Sequence, residues 1–89
     1  MRKYTIQTTP HGSRILFEQM NTCSHLDFQI APPDLHTLIL AAFRSPDKAP
    51  RAELAGVIAD RTANGVRVRV VANNAWMDIP WDIIARDFV

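Results

Sequence analysis

Valine and arginine alternate strictly from Val66 to Val70, and this segment restricts the possible folds more than any other part of the chain. Successive side chains of a β-strand point to opposite faces of a sheet, so the valines share one face while Arg67 and Arg69 share the other. Valine is β-branched and favours strands over helices. The segment therefore predicts a strand with one buried face and one polar face.

Three segments near the N-terminus show the same period of two, which is typical of half-buried strands. Their alternating apolar residues are Tyr4 and Ile6, then Ile15 and Phe17, and finally Leu26, Phe28 and Ile30. Residues 10–13, Pro-His-Gly-Ser, separate the first two segments and are typical of a turn. We expect a three-stranded antiparallel meander.

Apolar residues at helical spacing predict two helices in the middle of the chain. The first follows the proline pair at residues 32–33, which suits the start of a helix, and its apolar stripe extends to Phe43. The second is predicted from about Arg51 to Ala63, after a linker at residues 45–50 that contains two prolines and no periodicity. The Asn-Gly pair that follows is expected to end it, because glycine readily adopts the left-handed conformation.

A strand and a helix complete the predicted order. The Asn-Asn pair at residues 73–74 can adopt the positive φ values of a hairpin turn, so Ala75 to Ile79 is expected to pair with the Val-Arg strand. Pro80 precedes Trp81 and further apolar residues at helical spacing, which predicts a short C-terminal helix. We expect one small α+β domain over residues 1–89, with helices packed on an antiparallel sheet of about five strands in the order βββααββα.

The charge and cysteine content restrict the partners and the compartment. Ten Lys and Arg residues against nine Asp and Glu residues give a net charge of +1, whereas a dedicated nucleic-acid binder is strongly basic. Cys23, the only cysteine, cannot form an intramolecular disulfide, which fits a reducing compartment. The N-terminus lacks the apolar run of a secretory signal, and the longest apolar stretch, Leu38 to Phe43, is too short to cross a bilayer. We expect a cytoplasmic protein with no membrane partner.

The residues that can support catalysis or bind a metal ion are few. They are His11, Cys23, His25 and His36, together with Asp27. The C-x-H spacing of Cys23 and His25 is not specific to any site, and nothing marks an oxyanion hole or a glycine-rich phosphate loop. The sequence therefore predicts no enzyme, no metal and no cofactor. An enzymatic alternative would need a partner chain to complete a site around Cys23, His25 or His36.

Trp76 and its neighbours are the leading candidate for a protein-binding site. If the residue after Trp76 faces the core, Trp76 and Asp78 lie on the outer side of the sheet together with Arg67 and Arg69. A tryptophan beside arginines has the composition of an interface hot spot. Two alternatives stay open: the C-terminal helix covers this face, or a one-residue shift in register places Trp76 in the core.

A nucleic-acid-binding surface is the alternative function of the same strand. Arg67 and Arg69 are spaced to clamp two phosphates, and Lys3 and Arg14 on the first hairpin extend the basic patch if the fold brings them close. A solvated polar face is the simpler interpretation, because exposed strand faces need polar residues. Residues 51–61, the candidate recognition helix, present mostly small and apolar side chains, which argues against a winged helix.

These observations favour a non-enzymatic protein-interaction module. The expected partner is a larger protein or a second copy of the chain, since a core of this size often needs such support. Small inhibitors and adaptors of the kind that phage and mobile elements encode act in this way, by occupying a surface of a larger protein. A nucleic-acid-binding regulator is the alternative, and it predicts binding that falls steeply with salt.

Overall fold

The first three strands form an antiparallel meander in the computed structural model, which describes residues 2–45 and 51–89. The strands are β1 (Arg2–Thr9), β2 (Gly12–Gln19) and β3 (Thr22–Phe28), joined by two-residue turns. Their alternating apolar residues face the interior of the molecule, as the period of two predicts. The meander prediction is therefore confirmed.

The first helix, α1 (Pro32–Arg44), follows the meander and contacts strands of both sheets of the molecule. The predicted proline pair occupies its first turn, where missing amide hydrogens cost nothing. The buried stripe consists of Leu35, Leu38, Ile39 and Ala42. The helix thus lies where the sequence places it and joins the two sheets into one core.

The prediction of a second helix at residues 51–63 is wrong, because the segment forms a β-hairpin instead. β4 (Arg51–Leu54) and β5 (Val57–Arg61) pair antiparallel across Ala55 and Gly56, whose φ values are 49° and 78°. A two-residue turn with both φ values positive matches the twist of the flanking strands, and glycine favours it. Val57 to Ala59 are all buried, so pairing and burial outweigh the helical spacing of the apolar residues. Residues 46–50 of the predicted linker at residues 45–50 lie outside the described residues.

Gly65 does not end a helix but begins the Val-Arg strand, β6 (Gly65–Val70). A Cβ at this position would lie 1.9 Å from the carbonyl oxygen of Ile79 on the neighbouring strand. The Thr62 hydroxyl accepts hydrogen bonds from the amides of Asn64 and Gly65 at 3.2 and 3.1 Å, which shapes the preceding loop. Glycine is therefore required here by close approach of two strands.

The chain ends in a strand and a helix, as predicted. β7 (Ala75–Pro80) pairs with β6, and the helix begins with one α-helical turn, α2 (Trp81–Ile83). It continues as a π-helical segment (Ile84–Phe88), in which the amide of Val89 donates to the carbonyl of Ile84 at 3.1 Å. The single five-stranded sheet of the prediction is replaced by a three-stranded sheet and a four-stranded sheet, β4-β5-β6-β7, within a small α+β fold.

Arg61 ties the C-terminal end of α1 to the four-stranded sheet. Its guanidinium donates hydrogen bonds to the carbonyl oxygens of Phe43, at 3.0 Å, and Ser45. The same group lies 5.8 Å from the ring centroid of Trp81, whose indole nitrogen donates to Ala63 at 3.2 Å. A cation at a helix C-terminus offsets the helix dipole, so Arg61 and Trp81 have a structural use here.

One continuous cluster of buried side chains draws on both sheets and both helices. The Tyr4 hydroxyl crosses from β1 to donate a hydrogen bond to the carbonyl oxygen of Asp78 on β7, at 3.0 Å. Burial raises the pKa of Tyr4, although the nearby Arg2 opposes this shift. In the described part of the chain, neither helix has the length and apolar character that a bilayer crossing requires.

Candidate functional site

The face of the four-stranded sheet that is turned away from the core, called the outer face below, carries two cross-strand rows of side chains. The strand register aligns Arg51, Asp60, Arg67 and Asp78 in one row and Glu53, Ile58, Arg69 and Trp76 in the other. The four residues predicted to bind a protein, Arg67, Arg69, Trp76 and Asp78, therefore lie together on one surface.

Trp76 lies on the outer face rather than in the core. Its side chain is 50% exposed, so the C-terminal helix does not cover it. Val68 and Ile79, the inward residues of the same two strands, are fully buried. Both open alternatives for Trp76, a core position and a position under the helix, are thus excluded.

Arg67 is held on two sides. Its Nε and Nη2 atoms donate to the two carboxylate oxygens of Asp78 at 2.8 and 3.1 Å, a bidentate pair. The guanidinium carbon lies 3.9 Å from the ring centroid of Trp76. The hydrogen bonds to Asp78 raise the pKa of Arg67 further above its usual value, so the charge over the indole is permanent.

Arg69 and Ile58 are neighbours in the second row of the outer face. Arg69 Nη2 lies 3.3 Å from a carboxylate oxygen of Asp60, on the strand next to it. Ile58 is only 3% exposed although it is not part of the main core cluster. Its register neighbours are Glu53 and Arg69, whose aliphatic stems can cover it. The outer face is therefore partly packed rather than fully solvated.

The charges of the outer face balance. Three ion pairs, Arg51–Glu53 at 3.5 Å, Arg67–Asp78 and Arg69–Asp60, contain three cations and three anions. Each arginine of β6 is thus paired with a carboxylate, which reduces the positive potential that a phosphate backbone would meet.

The other residues of the predicted nucleic-acid surface, Lys3 and Arg14, belong to the three-stranded sheet. Arg14 makes its own bidentate pair with Asp27, at 2.6 and 3.1 Å, and these hydrogen bonds hold the pKa of Asp27 below its usual range. The fold therefore does not place Lys3 and Arg14 on the outer face with Arg67 and Arg69.

The candidate metal and nucleophile residues are dispersed. Cys23 and His25 are exposed on β3, His11 lies in the β1–β2 turn, and the Nε2 atom of His36 is 2.6 Å from the carbonyl oxygen of Phe88. Within residues 2–45 and 51–89, no three metal-ligating side chains come together.

A cleft of about 370 Å³ lies where the hairpin turns of the two sheets meet. His11 and Asp27 both contribute to its lining, beside Gly56 and Asn73. The carboxylate of Asp27 is occupied by Arg14, whose hydrogen bonds lower its pKa and make it a weak base. The Asp27 carboxylate of this cleft is therefore already engaged by Arg14.

Four residues of the outer face are missing from the sequence-based site: Arg51, Glu53, Ile58 and Asp60. They fall within the segment predicted to be helical, so the sequence predicts no position for them on the sheet. For Ile58 and Asp60, the signal that could have found them is the run of apolar residues directly after Gly56, which is typical of a strand that follows a tight turn.

Comparisons with known proteins give no relative. No protein-family model, curated protein sequence or solved structure matches this chain.

Proposed function

We propose that this protein is a non-enzymatic protein-binding module and that the outer face of its four-stranded sheet is the binding surface. The observation that carries the proposal is the half-exposed indole of Trp76 with the Arg67 guanidinium stacked on it. Tryptophan and arginine dominate the energetic hot spots of protein interfaces, because they bury a large area at a defined geometry.

The fixed position of these side chains supports the proposal. Arg67 is bonded to Asp78 through both carboxylate oxygens and rests on Trp76 at the same time. A side chain that is ordered before binding loses less conformational entropy when a partner covers it. The proposed hot spot is thus ordered before binding and lies on a sheet rather than on a loop.

The chemistry of the face indicates the chemistry of the partner. Trp76 needs an apolar pocket, while the ion pairs around it need a polar rim that leaves their hydrogen bonds intact. A folded protein surface supplies both, whereas a phosphate backbone would have to compete with Asp60 and Asp78 for the two arginines. We therefore favour a folded protein partner over the nucleic-acid alternative.

The test begins with affinity capture from native cells and continues with calorimetry on the purified captured protein. Trp76→Ala is expected to weaken binding at least about 30-fold, which is typical of a hot-spot tryptophan. Met20→Ala is the matched control, because Met20 is 88% exposed on the β2–β3 turn of the other sheet. Equal affinity of the Trp76→Ala variant and the wild type would refute the proposal.

A second experiment tests the nucleic-acid-binding alternative. Binding to a duplex of about 20 base pairs is measured at low and at physiological salt for the wild type and for Arg67→Ala. The proposal expects no binding that depends on Arg67. Duplex binding that is lost both with salt and with Arg67 would favour the nucleic-acid regulator instead.

A further inference from the structure

β3 is an edge strand whose outer edge carries few of the features that usually block pairing with another chain. Natural edge strands are kept short, or carry lysine, proline or a bulge. β3 has seven regularly paired residues, contains no Lys, Arg or Pro, and carries a single acidic residue, Asp27. Residues 22–25 are all exposed.

The other edges in the described part of the chain differ from β3. On β1, the carbonyl oxygen of Arg2 accepts a hydrogen bond from Arg86 at 3.0 Å. On β7, the carbonyl of Asp78 accepts one from Tyr4, and the strand ends in Pro80. β4 has only four residues.

The hairpin register shows which backbone groups of β3 point outward. Thr22 and Gln19 flank the two-residue turn and form a hydrogen-bonded pair, after which bonded and non-bonded pairs alternate along an antiparallel ladder. The amides and carbonyls of Cys23, His25 and Asp27 therefore face away from β2. No hydrogen bond within residues 2–45 and 51–89 engages these groups.

We propose that β3 pairs with β3 of a second copy of this chain, antiparallel about a two-fold axis at His25. His25 then lies opposite the partner's His25, and Cys23 opposite the partner's Asp27. Each of these pairs exchanges two backbone hydrogen bonds, so all three outward residues of both copies are used. The two meanders become one six-stranded sheet, and the dimer closes because both copies use the same surface.

The pattern along β3 favours a second copy over an unrelated strand. Cys23, His25 and Asp27 are evenly spaced, so a two-fold axis at His25 allows both copies to use all three residues. The carboxylate of Asp27 meets the Cys23 thiol rather than another carboxylate, so the two acidic side chains are kept apart. The pairing edge belongs to the three-stranded sheet, so this proposal does not depend on the outer face around Trp76.

The test exploits two cysteine positions on the same face of the same strand. In the Cys23→Ser/His25→Cys variant, the two-fold axis places the new cysteines about 5.5 Å apart between Cα atoms, within disulfide reach. In the wild type, the two Cys23 residues are four positions out of register, about 14 Å apart. Under mild oxidation, the variant is expected to form a covalent dimer and the wild type is not.

Sedimentation or light scattering of the reduced wild type is the companion measurement. A mass of two chains is expected, shifting to one chain in His25→Pro, which removes an outward amide at an edge where proline is tolerated. Circular dichroism checks that this variant folds. The proposal is overturned by a wild type that stays monomeric at high concentration, or by a wild type that cross-links through Cys23 as fast as the double variant does.

Discussion

The two sheets of this protein present contrasting surfaces to solvent. The outer face of the four-stranded sheet carries three ion pairs, a cation–π stack and a buried isoleucine, Ile58. Within residues 2–28, all of which the structure describes, the exposed face of the meander has one bidentate pair, Arg14–Asp27, and no Trp, Tyr or Phe, while its edge strand leaves backbone groups unused. The outer face thus presents ordered side chains, whereas the meander presents free backbone groups at its edge.

The largest expected effect concerns the register that builds the outer face. Gly65→Ala places a methyl group 1.9 Å from the Ile79 carbonyl oxygen, so β6 and β7 must separate or shift. We expect a loss of about 3 kcal/mol or more in the free energy of unfolding. In Gly56→Ala, the added Cβ has no other atom within 4 Å, so only the strain of an alanine at a φ of 78° remains. This strain should lower the free energy of unfolding by about 1 kcal/mol. Urea denaturation of the two variants checks the difference, and equal losses would contradict the close approach at Gly65.

The contrast between the two faces is tested by their apolar residues. Ile58→Ala removes a side chain that is 3% exposed, and we expect a loss of about 2 kcal/mol. Leu16→Ala, at a half-buried position on the exposed face of the meander, should cost about 1 kcal/mol or less. Thermal and urea unfolding measure both values. If Leu16→Ala costs as much as Ile58→Ala, the outer face is not the better packed of the two.

Tyr4 provides a pH-dependent test of the contact between the sheets. Tyr4→Phe removes the hydrogen bond to Asp78 and should cost about 1 kcal/mol at neutral pH. Because burial raises the pKa of Tyr4, its contribution is complete below pH about 10 and is lost as the pH rises through the folded-state pKa. The unfolded chain releases the proton first, so stability falls in that range in the wild type more than in Tyr4→Phe.

Tyr4 is the only tyrosine of the chain, so its ionisation can be followed by absorbance without assignment. A Tyr4 that titrates at the ordinary pKa of about 10 would contradict its burial between the sheets.

The smallest expected effect is the coupling within the ion pairs. Arg67 is bonded to Asp78 and also stacks on Trp76, whereas Arg14 is bonded to Asp27 on a face without a stacking ring in residues 2–28. Double-mutant cycles should therefore give a larger coupling for Arg67–Asp78 than for Arg14–Asp27, with both reduced in high salt. Equal coupling energies would show that the stack on Trp76 does not strengthen the Arg67–Asp78 pair.

The sequence predicts those parts of the fold in which local pattern and tertiary environment agree. The Val66–Val70 alternation and the proline pair at residues 32–33 place a strand and a helix correctly. The helix prediction for residues 51–63 is wrong because Leu54, Val57 and Ile58 have helical spacing as well as strand composition. Only pairing with β6 decides between a helix and a strand.

The candidate site follows the same rule. Alternation alone places Arg67, Arg69, Trp76 and Asp78 on one face, as the structure has them. The carboxylate that pairs with Arg69 was not predicted, because Asp60 belongs to a hairpin whose apolar spacing is helical. Cross-strand partners depend on register, which is a long-range property that a single strand does not encode.

The central claim, that the outer face binds a protein, is tested most directly by NMR. Amide and indole shifts of the 15N-labelled chain are recorded before and after addition of the captured partner. We predict that the largest changes occur at the Trp76 indole and at the amides of Arg67, Arg69 and Asp78. Changes confined to the meander, with the Trp76 indole unmoved, would contradict the claim.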